Sequence, residues 1–321
     1  MRHHPDPAER RRLTIQIASL ITGGFMEPAA VGGDTVEPAS PHDLPTRPLA
    51  LETGPVLHYF MFGAGHPVVF VHGSFADYRA WFGQVGVFGE RFKALTYSRR
   101  HHHPNRWDTD GRQSCTRLHA EDLACLIRRL DLAPATLVGQ SSGGLVAMHA
   151  AALYPELVHS LVLSEPFVPD LLDLVDDGPA AWADYESRFW LPAGRAFAEG
   201  RTERGVELLC DAILGDGAFA SFTEDIRPLV MQNAPEMHLE FSNRGFFSSF
   251  TARDVARIRA PVMLAEGGVS PTIYRLMLEV LAGLLPEARR VVFPEVSHVA
   301  PFLAMEAFNA EAIAFIEHHL A

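Results

Sequence analysis

The residues with the clearest chemical potential form the run Gly139-Gln140-Ser141-Ser142-Gly143. A serine hydroxyl is a weak nucleophile until a base takes its proton and nearby donors receive the charge that develops. A G-x-S-x-G pattern supplies the backbone side of that requirement. Its glycines leave room for a strained turn that lifts Ser141 out of a strand and opens a helix behind it. The free N–H groups at the helix start, that of Ser142 first, then point toward the oxyanion. The pattern alone is short enough to arise by chance, so its setting matters. Leu137-Val138 before it reads as a buried strand, and Ser142 to Tyr154 as a helix closed by Pro155.

Two other segments can complete such a site. Val71-His72-Gly73-Ser74 ends an apolar run in a glycine turn, so the Ser74 N–H can serve as a second oxyanion donor. His72, Gly73 and Gln140 flank the two turns and are the expected substrate-binding residues. Far downstream, Phe293-Pro294-Glu295-Val296-Ser297-His298 reads as a loop after the last strand candidate. An imidazole there can reach back over the sheet edge as general base. The chain holds 16 histidines, so position rather than residue type singles out His298.

The elements that must position these groups follow a regular rhythm. Val56–Phe62 alternates like a strand, Val68–Val71 is continuously apolar, and Ala94–Tyr97 is a weaker third candidate. Leu118–Leu130 has helical spacing, Leu161–Leu163 reads as another strand, and the rhythm then stops. It resumes with Pro261–Ala265, a helix over Ile273–Leu285, a strand over Arg290–Phe293 and a last helix over Leu303–His319. Strand and helix alternating in this way predict a parallel sheet with helices on both faces. The aromatic-rich stretch 167–258 has no convincing strand and reads as an inserted helical unit between core segments 51–166 and 259–321. Residues 1–50 read as an arm and Pro-rich linker. Within them, Arg10-Arg11-Arg12-Leu13 ahead of Thr14–Leu20 has a faint twin-arginine character, so export is the alternative to a cytoplasmic location.

Composition narrows the partners. A net charge of −12 argues against binding a nucleic-acid backbone, and no apolar run is long enough to span a membrane. Cys115, Cys125 and Cys210 fit no disulfide framework or zinc spacing and are expected to be buried thiols. The triplet His101-His102-His103 invites a metal reading, but adjacent loop side chains do not converge on one ion. No metal and no cofactor are expected, and the triplet is read as lining the approach to the site. The oligomeric state is left open.

The serine turn, the upstream His-Gly and the downstream histidine, in this order, resemble the α/β-hydrolase family over about residues 50–165 and 260–321. The resemblance implies a three-layer α/β fold. Its mostly parallel eight-stranded sheet would carry a helical cap after strand six and a catalytic triad at its C-terminal edge. Carried over, Ser141 matches the nucleophile, His298 the base, and the N–H groups of Ser74 and Ser142 the oxyanion hole. The acid departs from the common pattern. After strand seven this chain reads Leu264-Ala265-Glu266-Gly267-Gly268-Val269-Ser270-Pro271, with Ser270 where most relatives place aspartate. A serine cannot hold an imidazolium by charge. Some relatives carry a glutamate after strand six, and Leu163-Ser164-Glu165-Pro166 offers one. Glu165 is therefore the expected acid, ahead of Glu266 and Asp170. A serine at the turn implies acyl transfer: a carboxylic ester, lactone or similar bond cleaved through an acyl-enzyme. The alternatives are a C–C bond hydrolase of a diketone-type substrate and a non-hydrolytic binder of a small ligand. The aromatic-rich cap points to a small hydrophobic or aromatic acyl substrate.

Overall fold

Val68, Val69, Phe70 and Val71 have no solvent exposure, and neither do Leu161, Val162 and Leu163. Runs of this kind can only be strands covered on both faces, each side chain contributing about 1.5–3 kcal/mol by leaving water. The computed structural model, which describes residues 45–105, 114–224, 226–243 and 245–321, shows them at the centre of the sheet. Its strands are β1 (Arg47–Ala50), β2 (Val56–Phe62), β3 (Pro67–Val71), β4 (Lys93–Tyr97), β5 (Ala135–Gln140), β6 (Val158–Ser164), β7 (Val262–Gly267) and β8 (Arg289–Phe293). They are ordered β1-β2-β4-β3-β5-β6-β7-β8. From β4 to β8 every neighbouring pair is parallel, while β2 runs antiparallel to β1 and β4. The three-layer α/β architecture with a mostly parallel eight-stranded sheet is thus present. Helix Phe82–Gly89 packs with Met305–Leu320, and Thr116–Arg129 packs with Ser142–Leu153.

The chain leaves β3 for β4 on one side and returns to β5 on the other. Crevices at such reversals, beyond the C-terminal strand ends, are where this kind of sheet binds ligands. Register aligns Gln140 with Ser164 and Gly267 with Phe293. The turns after β5, β6, β7 and β8 therefore emerge along one edge.

Several features differ from the expectations. Arg47–Ala50 is not linker but the outermost strand, paired with Val56–Tyr59. The rest of the arm, including Arg10–Arg12 and Thr14–Leu20, lies outside the described residues. Helix Phe82–Gly89 is hidden in the sequence because Gly83, Gly86 and Gly89 depress its helical propensity. The last helix is broken at Ala304 into Ala300–Leu303 and Met305–Leu320. Cys210 is buried as expected, whereas Cys115 and Cys125 are only partly so. The insertion is helical, with Gly178–Tyr185, Leu191–Ala198, Thr202–Leu214 and Ala234–Ser242 its longer elements. Its aromatics pack largely on one another: Trp190 lies 4.6 Å from Phe241, and Phe167 lies 4.9 Å from Phe247. Among the described residues no helix is long and apolar enough to cross a membrane.

The helix Ser142–Leu153 is wedged between the end of β3 and the inserted unit. At Gly143 an added Cβ would stand 2.3 Å from the carbonyl oxygens of both Val71 and His72. Gly143→Ala must therefore push two elements apart, and the expected cost is about 1–3 kcal/mol, read as a lower urea midpoint. An unchanged midpoint would mean that the contact yields freely. Nearly two turns further on, His149 meets the Phe250 ring edge-on at 4.8 Å. Burial lowers its pKa to about 4. It stays neutral in the folded chain while the unfolded chain takes up a proton below about pH 6.5. Its contribution to stability is full above that pH and is lost as pH falls toward the folded value. Moving from about pH 7.5 to about pH 5 should destabilise the wild type by roughly 2 kcal/mol more than His149→Leu, by urea denaturation. Equal slopes would contradict a neutral, buried imidazole.

Candidate active site

Ser141 follows β5 with φ 53° and ψ −124°, a left-handed backbone that a side chain adopts only under constraint. Strain of this type costs about 1–3 kcal/mol, so neighbours must hold it. The Ser141 N–H donates to the Ser164 carbonyl at 3.0 Å, and its own carbonyl accepts from Gly144 at 2.9 Å and from Phe167 at 3.1 Å. At Gly139 an added Cβ would sit 2.8 Å from the Gly143 oxygen, so both glycines of the motif are sterically required.

Beside this turn, Glu165 follows β6, also at positive φ (39°). It is almost fully buried, and its carboxylate is saturated with donors. Oε1 accepts from the Gly267 N–H at 3.0 Å. Oε2 accepts from Ser270 Oγ at 2.9 Å and faces His298 Nδ1 at 2.8 Å. Since a carboxylate only accepts, Nδ1 carries the imidazole proton and Nε2 keeps its lone pair. The His298 ring stacks on Tyr274, with centroids 3.6 Å apart and 19° between planes. The Gln140 amide lies 3.3 Å from Nε2. Ser141 and His298 line the same cavity, and no hydrogen bond joins their side chains among the described residues. Such contacts commonly close only around a substrate.

The other acid candidates lie elsewhere. Glu266 forms an ion pair with Arg290 at 2.6 Å, and Asp170 accepts from the Phe250 N–H at 3.2 Å. Ser270, in the usual place of an aspartate, donates its hydroxyl to the carboxylate that faces the histidine.

The two expected oxyanion segments are tied together by the Ser74 hydroxyl, which donates to Ser142 Oγ at 3.2 Å. Beneath them lies a scaffold that sequence reasoning did not identify. Arg99, fully buried, donates from Nη2 to the Gly73 carbonyl at 3.0 Å and to Ser142 Oγ at 3.2 Å. Its backbone N–H donates to His72 Nε2 at 3.0 Å, while His72 Nδ1 donates to the Gly73 carbonyl at 2.9 Å. Burial, with the Arg99 charge beside it, lowers His72 to about 3. His72 therefore braces the oxyanion turn and does not line the cavity, a correction to its expected substrate-binding role. Gly73 and Gln140 do line it.

The loop after β4 likewise does not line the approach to the site. Arg99, Arg100 and His102 are buried, with Arg100 paired to Asp122 at 2.6 Å. The inserted unit covers this loop: the His103 N–H donates to Asn233 Oδ1 at 2.8 Å, and Asn233 also donates to Asp77 at 2.9 Å. His102, Glu236 and Glu240 meet at this seam, each offering a ligand atom within 4.8 Å of the others.

The cavity between Ser141 and His298 measures about 20 Å³, with Ile213 of the inserted unit as its lid. That volume holds about one water molecule. A groove of about 730 Å³, lined in part by Pro261, Val262 and Arg289, lies at the opposite edge, where β7 and β8 begin. It is remote from every group described above.

The comparisons agree with this architecture. The chain is 27% identical over 257 residues to 2-(acetamidomethylene)succinate hydrolase of Mesorhizobium japonicum, covering 77% of this chain and 88% of that protein. It is 36% identical to Esterase Rv0045c of Mycobacterium tuberculosis over 101 residues, which span 32% of this chain and 33% of that one. Among solved structures, a thermophilic esterase from Thermogutta terrifontis superposes with a TM-score of 0.68 at 19% identity, covering 85% of this chain and 98% of the other. The model of the Alpha/beta hydrolase family matches residues 68–311, from β3 to the last helix, and the chain belongs to that family of hydrolases.

Proposed function

We propose that this chain is a cofactor-independent serine hydrolase that cleaves a carboxylic ester, lactone or similar activated acyl bond. Ser141 is the nucleophile, His298 the base and Glu165 the acid. The observation that carries the reading is the 2.8 Å contact between Glu165 Oε2 and His298 Nδ1. It fixes the tautomer that presents a lone pair on Nε2 to the cavity shared with Ser141. In the acylation step, Nε2 takes the Ser141 proton as Oγ bonds to the carbonyl carbon. The carbonyl electrons move onto oxygen, where the N–H groups of Ser74 and Ser142 receive them. Collapse expels the alcohol, protonated by the imidazolium that Glu165 stabilises. Water then repeats the sequence on the acyl-enzyme and releases the acid.

Substrate class follows from what surrounds the cavity. Phe75, Ala80, Ile213 and Phe302 offer an apolar wall among the described residues. The nearby cation, Arg99, is already engaged by Gly73, Ser142 and Glu240. This favours a small apolar acyl group over a dicarboxylate of the kind named for the Mesorhizobium relative. Because the cavity holds about one water, entry requires the segment bearing Ile213 to move, and Ile213→Ala is expected to lower KM for larger acyl chains more than for acetyl.

The test is hydrolysis of p-nitrophenyl acetate and butyrate. Ser141→Ala should lower kcat by about a million-fold, and Glu165→Gln by about three to four orders of magnitude. Glu266→Gln, which breaks only the pair with Arg290, should stay within about threefold of wild type. Near-normal turnover in Glu165→Gln would reject the acid assignment. Absence of turnover on these esters and on diketones, with no labelling by a fluorophosphonate, would reject the enzyme in favour of a binder of small ligands.

A further inference from the structure

We propose that His102, Glu236 and Glu240 form a binding site for one divalent transition-metal ion, which clamps the inserted helical unit to the loop that braces the oxyanion turn. The three residues come from the two sides of one seam. His102 follows β4 in the core, whereas Glu236 and Glu240 stand one turn apart on helix Ala234–Ser242 of the insertion. All three have no solvent exposure at the side chain.

The protonation pattern leaves a hole between them. His102 Nδ1 lies 2.8 Å from the Ala76 carbonyl, an acceptor, so Nδ1 bears the proton. Nε2 is left as a bare lone pair, buried and without a hydrogen-bond partner. It points toward another acceptor, Glu236 Oε1, at 3.8 Å. The second Glu236 oxygen is also buried and unpartnered. A histidine anchored through one nitrogen to a carbonyl and aimed with the other at carboxylates is how proteins orient imidazole ligands for metals.

The neighbours of the two carboxyl groups leave this side open. Glu240 Oε1 faces Arg99 Nη2 at 3.5 Å, and Glu236 Oε1 has Ser114 Oγ and His119 Nε2 each at 3.4 Å. His119 Nδ1 faces the Arg99 guanidinium at 2.9 Å and so accepts, leaving it neutral. Both Glu240 oxygens and the second Glu236 oxygen lack a hydrogen-bond partner, as does His102 Nε2. One imidazole with two carboxylates suits zinc or manganese better than magnesium or calcium, which demand more oxygens. Tetrahedral coordination needs ligand atoms about 3.3–3.5 Å apart, so separations within 4.8 Å must close by up to about 1.5 Å. The three histidines 101–103 do not converge, as the sequence suggests. One of them does so with carboxylates about 135 residues downstream.

The full-length protein, stripped with a chelator and dialysed, is titrated with zinc chloride by calorimetry and then measured by elemental mass spectrometry. One equivalent per chain and a raised thermal midpoint are expected. Glu236→Gln and His102→Gln should each weaken binding roughly tenfold or more. Circular dichroism and the unfolding midpoint of the metal-free variants establish that they fold. Glu266→Gln, remote from the seam, serves as a folded control with unchanged stoichiometry. Should His102→Gln fail to fold, Glu236→Gln alone decides the matter. No retained zinc or manganese and no saturable binding to the wild type would overturn the proposal. So would equal binding in the wild type and the folded variants.

Discussion

A carboxylate buried against an imidazole is the contact around which the rest of this molecule is arranged. Taking Glu165 out of water is costly unless donors replace the lost hydration. The chain supplies them from three directions: the Gly267 N–H, the Ser270 hydroxyl and His298 Nδ1. Gly267 ends β7, Ser270 lies in the turn after it, and His298 lies in the loop after β8. Their convergence requires β6, β7 and β8 to be adjacent and parallel, which is what the sheet provides. The strained backbone at Ser141 depends on the same region, since its N–H is held by Ser164, the residue before Glu165.

In the proposed triad, Ser270 is a neutral donor to an acid that follows the neighbouring strand. That acid meets the imidazole at the usual distance for a charge-assisted hydrogen bond. The stacked Tyr274 ring covers the open face of His298 and limits its rotation. What the inserted unit adds is closure. It places Ile213 in the cavity beside Ser141 and Asn233, Glu236 and Glu240 over the loop after β4.

Much of this was legible in the chain itself, for reasons that differ by element. Val68–Val71 and Leu161–Leu163 read as strands because both faces are buried, leaving no polar residue to break the run. Ser141 was legible because its turn tolerates few residues besides glycine on either side. Glu165 emerged from an absence, the missing aspartate at Ser270, together with the adjacency of β5 and β6. Other features left little trace. Three glycines conceal the helix Phe82–Gly89, and β1 is a four-residue edge strand, largely exposed and with a proline at its second position. The loop bearing Arg99 and His102 reads as lining the approach to the site, since nothing local announces that a helix some 135 residues later covers it. His72 sits beside the cavity in sequence, but its ring turns inward to the Gly73 carbonyl and the Arg99 N–H, which position alone does not reveal.

The most direct measurement of the central contact is proton NMR of the imidazole Nδ1–H of His298. A hydrogen bond to a buried carboxylate should give a low-field resonance that is absent from His298→Ala. It should move upfield in Glu165→Gln and stay in place in Glu266→Gln. A resonance indifferent to Glu165 but displaced by the Glu266 substitution would contradict the arrangement on which this account of the site rests.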